Sequence, residues 1–185
     1  MLIVKPSKKG IDQAVRWLRA GGVIVYPTDT AYGLGGVIGN PAVVRRVLRI
    51  KKRRDRKFTV VCADLNQAKK FFRLNKLAAR LAKKYWPGPL SIVVSSSFSI
   101  RVPANKLTQK LVKLAGRPLI ATSANLSGNA APYSGRVVIK EFKNQKNQPD
   151  LVINSGKLKK TSPSTIVKIR GEKIEVLRQG SVKIL

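Results

Sequence analysis

The chain has 185 residues, of which 38 are Lys or Arg, 8 are Asp or Glu and none is His, giving a formal net charge of +30. That length suits one well-cored domain, and an apolar content of 43% excludes a disordered polyelectrolyte. A lone cysteine, Cys62, excludes an internal disulfide, and the absence of imidazole excludes the usual proton shuttle near neutral pH.

Ile11, Ala14, Val15 and Leu18 fall at helical spacing, and Gly21-Gly22 stops that helix. Val23 to Tyr26 reads as a buried strand, followed by a loop, PTDTAYGLGG (27–36). Asn40-Pro41 predicts an N-cap with proline at the first helical position, and Val43, Val44, Val47 and Leu48 supply the apolar face. FTVVCA (58–63) is a second strand. Asp64 caps a short helix through Phe71-Phe72, and Asn75 caps another carrying Leu77, Ala78, Leu81 and Tyr85. WPGPL (86–90) breaks the helix, because neither proline can continue it.

SIVVS (91–95) predicts a strand, Leu107, Leu111 and Leu114 a helix closed by Gly116, and PLIATSA (118–124) a strand. LVIN (151–154) is another, and STIVKIRGEKIEVL (164–177) is a hairpin turning at Gly171-Glu172. The polar segment KEFKNQKNQPD (140–150) reads as a mobile surface connection. Strands alternating with helices, then a terminal hairpin, predict a single α/β domain over 1–185 with a mixed sheet. No stretch approaches the 18 apolar residues of a membrane span. The N-terminus lacks the charged-then-apolar order of a signal peptide, and the lone thiol suits a reducing, cytoplasmic setting.

The carboxylates are scattered, which argues against a paired-acid site and against a metal cage. Cys62 sits in an apolar strand without a histidine partner and reads as a buried structural thiol. Hydroxyls and cations gather instead in four places. PTDTAYGLGG can bring backbone amides and hydroxyls to an anion. RIKKRRDRKF (49–58) offers Lys51, Arg53 and Lys57 to phosphates. TSANLSG (122–128) offers Ser123, Asn125 and Ser127 at the carboxyl end of a strand, where open α/β sheets bind ligands. SPST (162–165) and LRQG (177–180) come last. A charge of +30 suits polyanionic company, either a nucleotide or an RNA.

In this order, and with WPGPL between the second and third, these clusters resemble the YrdC-type family of threonylcarbamoyl-AMP synthases. The likeness runs from about Gly21 to Gly180 and includes Pro27 to Gly35, Lys51-Lys52-Arg53, Trp86 to Leu90, Arg101-Val102-Pro103, Ser123 to Gly128, Ser164-Thr165 and Arg178-Gln179-Gly180. It implies a twisted, mixed open sheet flanked by helices, of the short single-domain type, with a basic concave face. It also implies ATP-dependent synthesis of L-threonylcarbamoyl-AMP from L-threonine and bicarbonate, with pyrophosphate released and Mg²⁺ accompanying ATP. The product then serves a tRNA threonylcarbamoyl transferase complex in making N6-threonylcarbamoyladenosine.

Carried over by motif, the resemblance implies Thr30, Arg101, Ser123 and Ser164 as the threonine and carbamate site. Lys51, Arg53 and Lys57 would face the triphosphate, with Lys51 and Arg53 catalytic. Ser123, Asn125, Tyr133 and Arg178 would contact the nucleotide. Tyr32 and Trp86 read equally as pocket or core aromatics, and Asp29 as a structural hydrogen-bonding group. This chain departs from the family pattern at Arg54, where proline is usual, at Phe58, where proline or a small residue is frequent, and in a shortened spacer before Arg101. The rival expectation is a non-catalytic RNA-binding protein assisting tRNA or ribosome maturation, which needs the basic surface but no hydroxyl-lined pocket.

Overall fold

The computed structural model describes residues 1–184. It contains ten strands and six helices: β1 (Leu2–Val4), α1 (Lys8–Arg19), β2 (Ile24–Pro27), β3 (Tyr32–Gly35), α2 (Pro41–Lys51), β4 (Phe58–Val61), α3 (Leu65–Phe71), α4 (Lys76–Tyr85), β5 (Leu90–Val93), β6 (Phe98–Arg101), α5 (Lys106–Ala115), β7 (Leu119–Ser123), α6 (Gly135–Phe142), β8 (Leu151–Ile153), β9 (Thr165–Arg170) and β10 (Lys173–Arg178). None of the six helices has an acidic residue in its first turn. Neutral or acidic caps compensate. Ser7, Asn40, Asp64, Asn75 and Asn105 each accept a backbone N–H at a helix start, a contact worth about 1 kcal/mol each. Basic residues fill the last turns, where they complement the helix dipole.

The strands form one mixed sheet in the order β1-β8-β2-β3-β7-β4-β6-β5-β9-β10. β1, β8 and β2 are parallel, as are β4 with β6 and β5 with β9, while the remaining neighbours are antiparallel. The glycine-rich stretch is therefore a strand in part, not a loop throughout. β3 pairs with β2 and β7, and a Cβ on Gly35 would stand 1.7 Å from the Ile120 carbonyl oxygen. Only a glycine lets the two backbones approach so closely.

Strand alternation divides the core between the two faces of the sheet. On one face α1 and α5 bury Ile11, Leu18, Leu111 and Val112 against Tyr26, Val61 and Leu119. On the other, α2 and α6 pack Val43, Val47, Val138 and Phe142 against Val25, Leu34 and Ile120. Beside them α3 and α4 bury Ala68, Leu81 and Trp86 against Val60, Ile92 and Ile100.

The expected surface connection over 140–150 is shorter: α6 runs on to Phe142, and residues 143–148 make the partly exposed link toward β8. Phe142 is fully buried in α6, and Asp150 accepts both guanidinium nitrogens of Arg46, at 2.7 and 2.8 Å, and the Val23 N–H. Among the described residues no helix is long and apolar enough to cross a membrane.

Candidate active site

The first face of the sheet is only half covered. Helices α1 and α5 end their coverage at Val61 and Leu119; beyond these, Thr59, Ala121, Ser123, Ser99 and Arg101 open into a cavity of about 540 Å³. Five cations line it: Arg53, Lys57, Arg101, Lys168 and Arg178. Hydroxyls make up much of the remaining wall, and no carboxylate lies on it among the described residues.

Strand register sets the spacing. Val61 pairs with Arg101 and Thr59 with Ser99, so Lys57 stands four residues from the level of Arg101. At 3.3 Å per residue that is roughly 13 Å. The Thr59 and Ser99 hydroxyls, 3.1 Å apart, lie on the floor between these levels.

The deep end is built by a turn folded on its own hydroxyl. Thr28 Oγ1 donates to the Ala31 carbonyl at 2.7 Å and accepts the N–H groups of Thr30 and Ala31. Arg101 reaches the same turn. Its Nη2 donates to Thr30 Oγ1 at 3.1 Å and to Thr28 Oγ1 at 3.4 Å, and lies 3.0 Å from Asp29 Oδ1. Nη1 is buried without a partner. Burial pulls the Arg101 guanidinium down, and Asp29 opposes that pull; an arginine remains charged in such surroundings. Asp29 also accepts the Ala104 N–H, so its structural role stands.

Arg178 closes the neighbouring wall. Its Nε and Nη2 donate to the Ser164 carbonyl at 3.0 and 2.8 Å, and Nη2 also donates to Ser164 Oγ at 3.0 Å. The Ser164 hydroxyl is 2.9 Å from buried Ser91. Burial, with the positive charge of Arg101 as the second cause, pulls Arg178 down. Arg101 thus disfavours the charge of Arg178, and both guanidinium groups stand on a wall that no carboxylate lines among the described residues, an electrostatic setting that suits an anion.

At the outer end the αL conformation of Lys52, at φ 51°, terminates α2 and turns the chain. Arg53 then lies over the Phe58 ring, 5.5 Å from its centroid, and donates to Asp55 at 2.6 Å and to the Lys57 carbonyl at 2.9 Å. Tyr133 lines the cavity and donates to the Thr161 carbonyl, while Thr161 Oγ1 bonds the carbonyls of Asp29 and Thr30. These contacts fasten the segment between β8 and β9 beside the deep end.

Of the residues singled out in the sequence, Thr30, Arg53, Lys57, Arg101, Ser123, Tyr133, Ser164 and Arg178 converge on the cavity. Lys51 and Asn125 do not line it. Lys51 is 3% exposed and donates to the carbonyls of Ser123 and Asn125 at 2.6 and 2.8 Å. The αL turn at Lys52 sends Lys51 inward and Arg53 to the cavity, so the expectation that Lys51 faces a triphosphate is corrected to one of loop support. Asn125 is likewise turned inward, its Nδ2 donating to the carbonyls of Leu126 and Asn129.

Trp86 is core, its indole N–H bonded to the Leu90 carbonyl, whereas Tyr32 is core that also touches the cavity. Cys62 is buried, and its thiol is pushed up to about 12 by burial first and Asp64 second, so it is inert as a nucleophile. Sequence reasoning missed Thr59, Ser99, Lys168 and the Ser95–Ser97 turn on the wall, and Glu141 behind it. Scarcity was the signal for the last: with so few acids, each merits a search for its partner.

A mixed sheet flanked by helices, whose open half is a cationic, hydroxyl-lined cavity, defines an α/β protein of the Sua5/YciO/YrdC class. The corresponding family model, described as Telomere recombination, matches residues 16–180, and the chain belongs to that family. It is 32% identical over 190 residues to the uncharacterized protein YciO of Escherichia coli, covering 95% of this chain and 91% of that one. The crystal structure of E. coli YciO superposes with a TM-score of 0.84. It is 31% identical over 188 residues to the threonylcarbamoyl-AMP synthase of Vibrio vulnificus, covering 92% and 98% of the two chains. A Pyrococcus abyssi Sua5 crystal structure complexed with L-threonine matches with a TM-score of 0.86 and 28% identity. That match takes in 97% of this chain but only 56% of the longer Sua5 chain.

Proposed function

We propose that this protein is an ATP-dependent L-threonylcarbamoyl-AMP synthase whose product serves tRNA modification. The observation that carries this reading is the carboxylate-free wall of five cations and many hydroxyls, with a buried, unpartnered Arg101 N–H at its deep end. That N–H suits the carboxylate of an amino acid held by Thr30, Arg101 and Ser164. Arg53 and Lys57 suit the triphosphate of ATP, with Ser123, Tyr133 and Arg178 beside the nucleotide.

In this reading the threonine amine attacks the bicarbonate carbon and water leaves, giving a carbamate. A carbamate oxygen then attacks the α-phosphorus, and the bond to the bridging oxygen breaks as pyrophosphate departs. The attacking oxygen is already anionic, so the missing histidine removes nothing that this step needs. Its barrier is electrostatic: two unit anions 4 Å apart repel by about 4 kcal/mol at an effective dielectric of 20. Fixed cations offset that repulsion and align the reactants. Mg²⁺ enters only as the ion carried on the triphosphate, because the donors on the wall are hydroxyls and cations with no carboxylate to cage it.

The test is mass spectrometry of the product after incubation with ATP, threonine and bicarbonate, with each omitted in turn. The threonylcarbamoyl adenylate appears only when all three are present. Pyrophosphate release indifferent to threonine would overturn the reading. The net charge of +30 also favours RNA as a partner, through the basic surface. A protein that only binds RNA would show no thermal stabilisation by ATP with threonine, whereas the synthase would.

A further inference from the structure

Ser123, the last residue of β7, pairs with Gly33 and forms part of the cavity wall, and residues 124–129 follow it. Ser127, Gly128 and Asn129 lie at or near the surface and bring no apolar core of their own. Two helices reach this loop with opposite charges. From the end of α2, Lys51 Nζ donates to the carbonyls of Ser123 and Asn125, and the Lys51 carbonyl accepts the Ser127 N–H at 2.9 Å. From α6, a single oxygen of Glu141, Oε1, accepts the Leu126 N–H at 2.9 Å and Asn129 Nδ2 at 2.7 Å. Neither Lys51 nor Glu141 lines the cavity.

Asp29, Asp55, Asp150 and Glu175 each sit in an ion pair with an arginine. Glu141, like Asp12, Asp64 and Glu172, is in none of these pairs, but whereas Asp64 bonds only the start of its own helix, Glu141 gives its carboxylate to a loop that precedes its helix. We propose that Glu141, with Lys51 opposite, is a positioning residue that holds the 124–129 loop against the end of β7, where Ser123 faces the nucleotide. This deepens, and rests on, the reading of the cavity as an ATP and threonine site. The reasoning is preorganisation. Ala124 is buried in the core and Leu126 packs against it, but Ser127, Gly128 and Asn129 are exposed and keep their shape through hydrogen bonds, and a loop not already ordered must be ordered at the expense of binding. The Arg101 end is built on β6 and the Thr28 turn and owes nothing to Glu141.

The experiment compares wild type, E141A and E141Q by calorimetric binding of ATP and of threonine separately, with hydrogen exchange at the Leu126 amide. The glutamine retains an oxygen that accepts from both donors. E141A is expected to weaken ATP about 10-fold, leave threonine within about 2-fold, and speed Leu126 exchange. E141Q is expected to restore ATP affinity and protection. Unchanged ATP binding or unchanged Leu126 exchange in E141A, an equal loss of threonine binding, or failure of glutamine to rescue would each overturn the proposal. Wild-type protein that binds neither ligand would instead bring down the reading of the site, and with it the role given to Glu141.

Discussion

Arg101 and Asp29 form a pair in which stability and binding can be separated. Arg101 is 4% exposed and the Asp29 side chain 13%, with Oδ1 3.0 Å from the guanidinium. Replacing Arg101 by methionine fills similar volume but leaves Asp29 with the Ala104 N–H as its remaining contact. Removing one partner of a buried ion pair destabilises by about 3–5 kcal/mol, and the partial exposure of Asp29 points to the lower end. At about 2–4 °C per kcal/mol for a domain of this size, 3 kcal/mol lowers Tm by roughly 6–12 °C. The double variant R101M/D29N removes both charges and should return to within about 1 kcal/mol of wild type. Both variants should bind threonine roughly 10- to 150-fold more weakly, the loss expected for a charged hydrogen bond worth about 1.5–3 kcal/mol. Urea denaturation, which leaves electrostatics unscreened, measures the first effect and calorimetry the second. If R101M loses under about 1 kcal/mol, or the double variant binds threonine normally, the account of the deep end is wrong.

R53A should lower turnover by about 10²-fold, as loss of a transition-state charge donor does; a continuous pyrophosphate assay checks it, and an unchanged rate removes Arg53 from the mechanism. Burial first, then Arg53, pulls the Lys51 ammonium down to about 8, with Glu141 opposing. Lys51 therefore loses its proton more easily folded than unfolded, and its contribution to stability is full above the unfolded value of 10.5 and is lost as pH falls through about 8. The stability of wild type relative to K51M should accordingly rise by roughly 2 kcal/mol between pH 8 and 9.5, read from urea midpoints; a flat difference would show that the ammonium is not destabilised by burial. G35A drives a methyl into the Ile120 carbonyl and should destabilise by about 3 kcal/mol or more, seen as a lower melting temperature by circular dichroism.

Most helices were legible because local signals agree. Asn40, Asp64 and Asn75 cap where apolar periodicity begins, and Gly116 ends α5 in the left-handed conformation. Four elements were not, β1, β3, β6 and α6, of which β3 and α6 show the reason best. β3 has no β-branched residue, and its strand state comes from β2 and β7, which hold it from both sides. The α6 sequence GRVVIKEF has a β-branched run and no side-chain cap bond, and it is helical because Val138 and Phe142 find a core on the sheet. Neither partnership can be read within a short window.

Composition and motif order by themselves determined the family and gathered cations and hydroxyls, without imidazole, into a few clusters. What they could not decide is which of the expected cations face the cavity, and Lys51 does not. Lys51 and Arg53 are two residues apart and alike in charge, yet one ends buried against loop carbonyls and the other on the cavity wall. The difference lies in the backbone turn at Lys52 and in how far α1 and α5 cover the sheet. Side-chain type is a local property, whereas direction and exposure come from long-range packing, and only the folded chain supplies that.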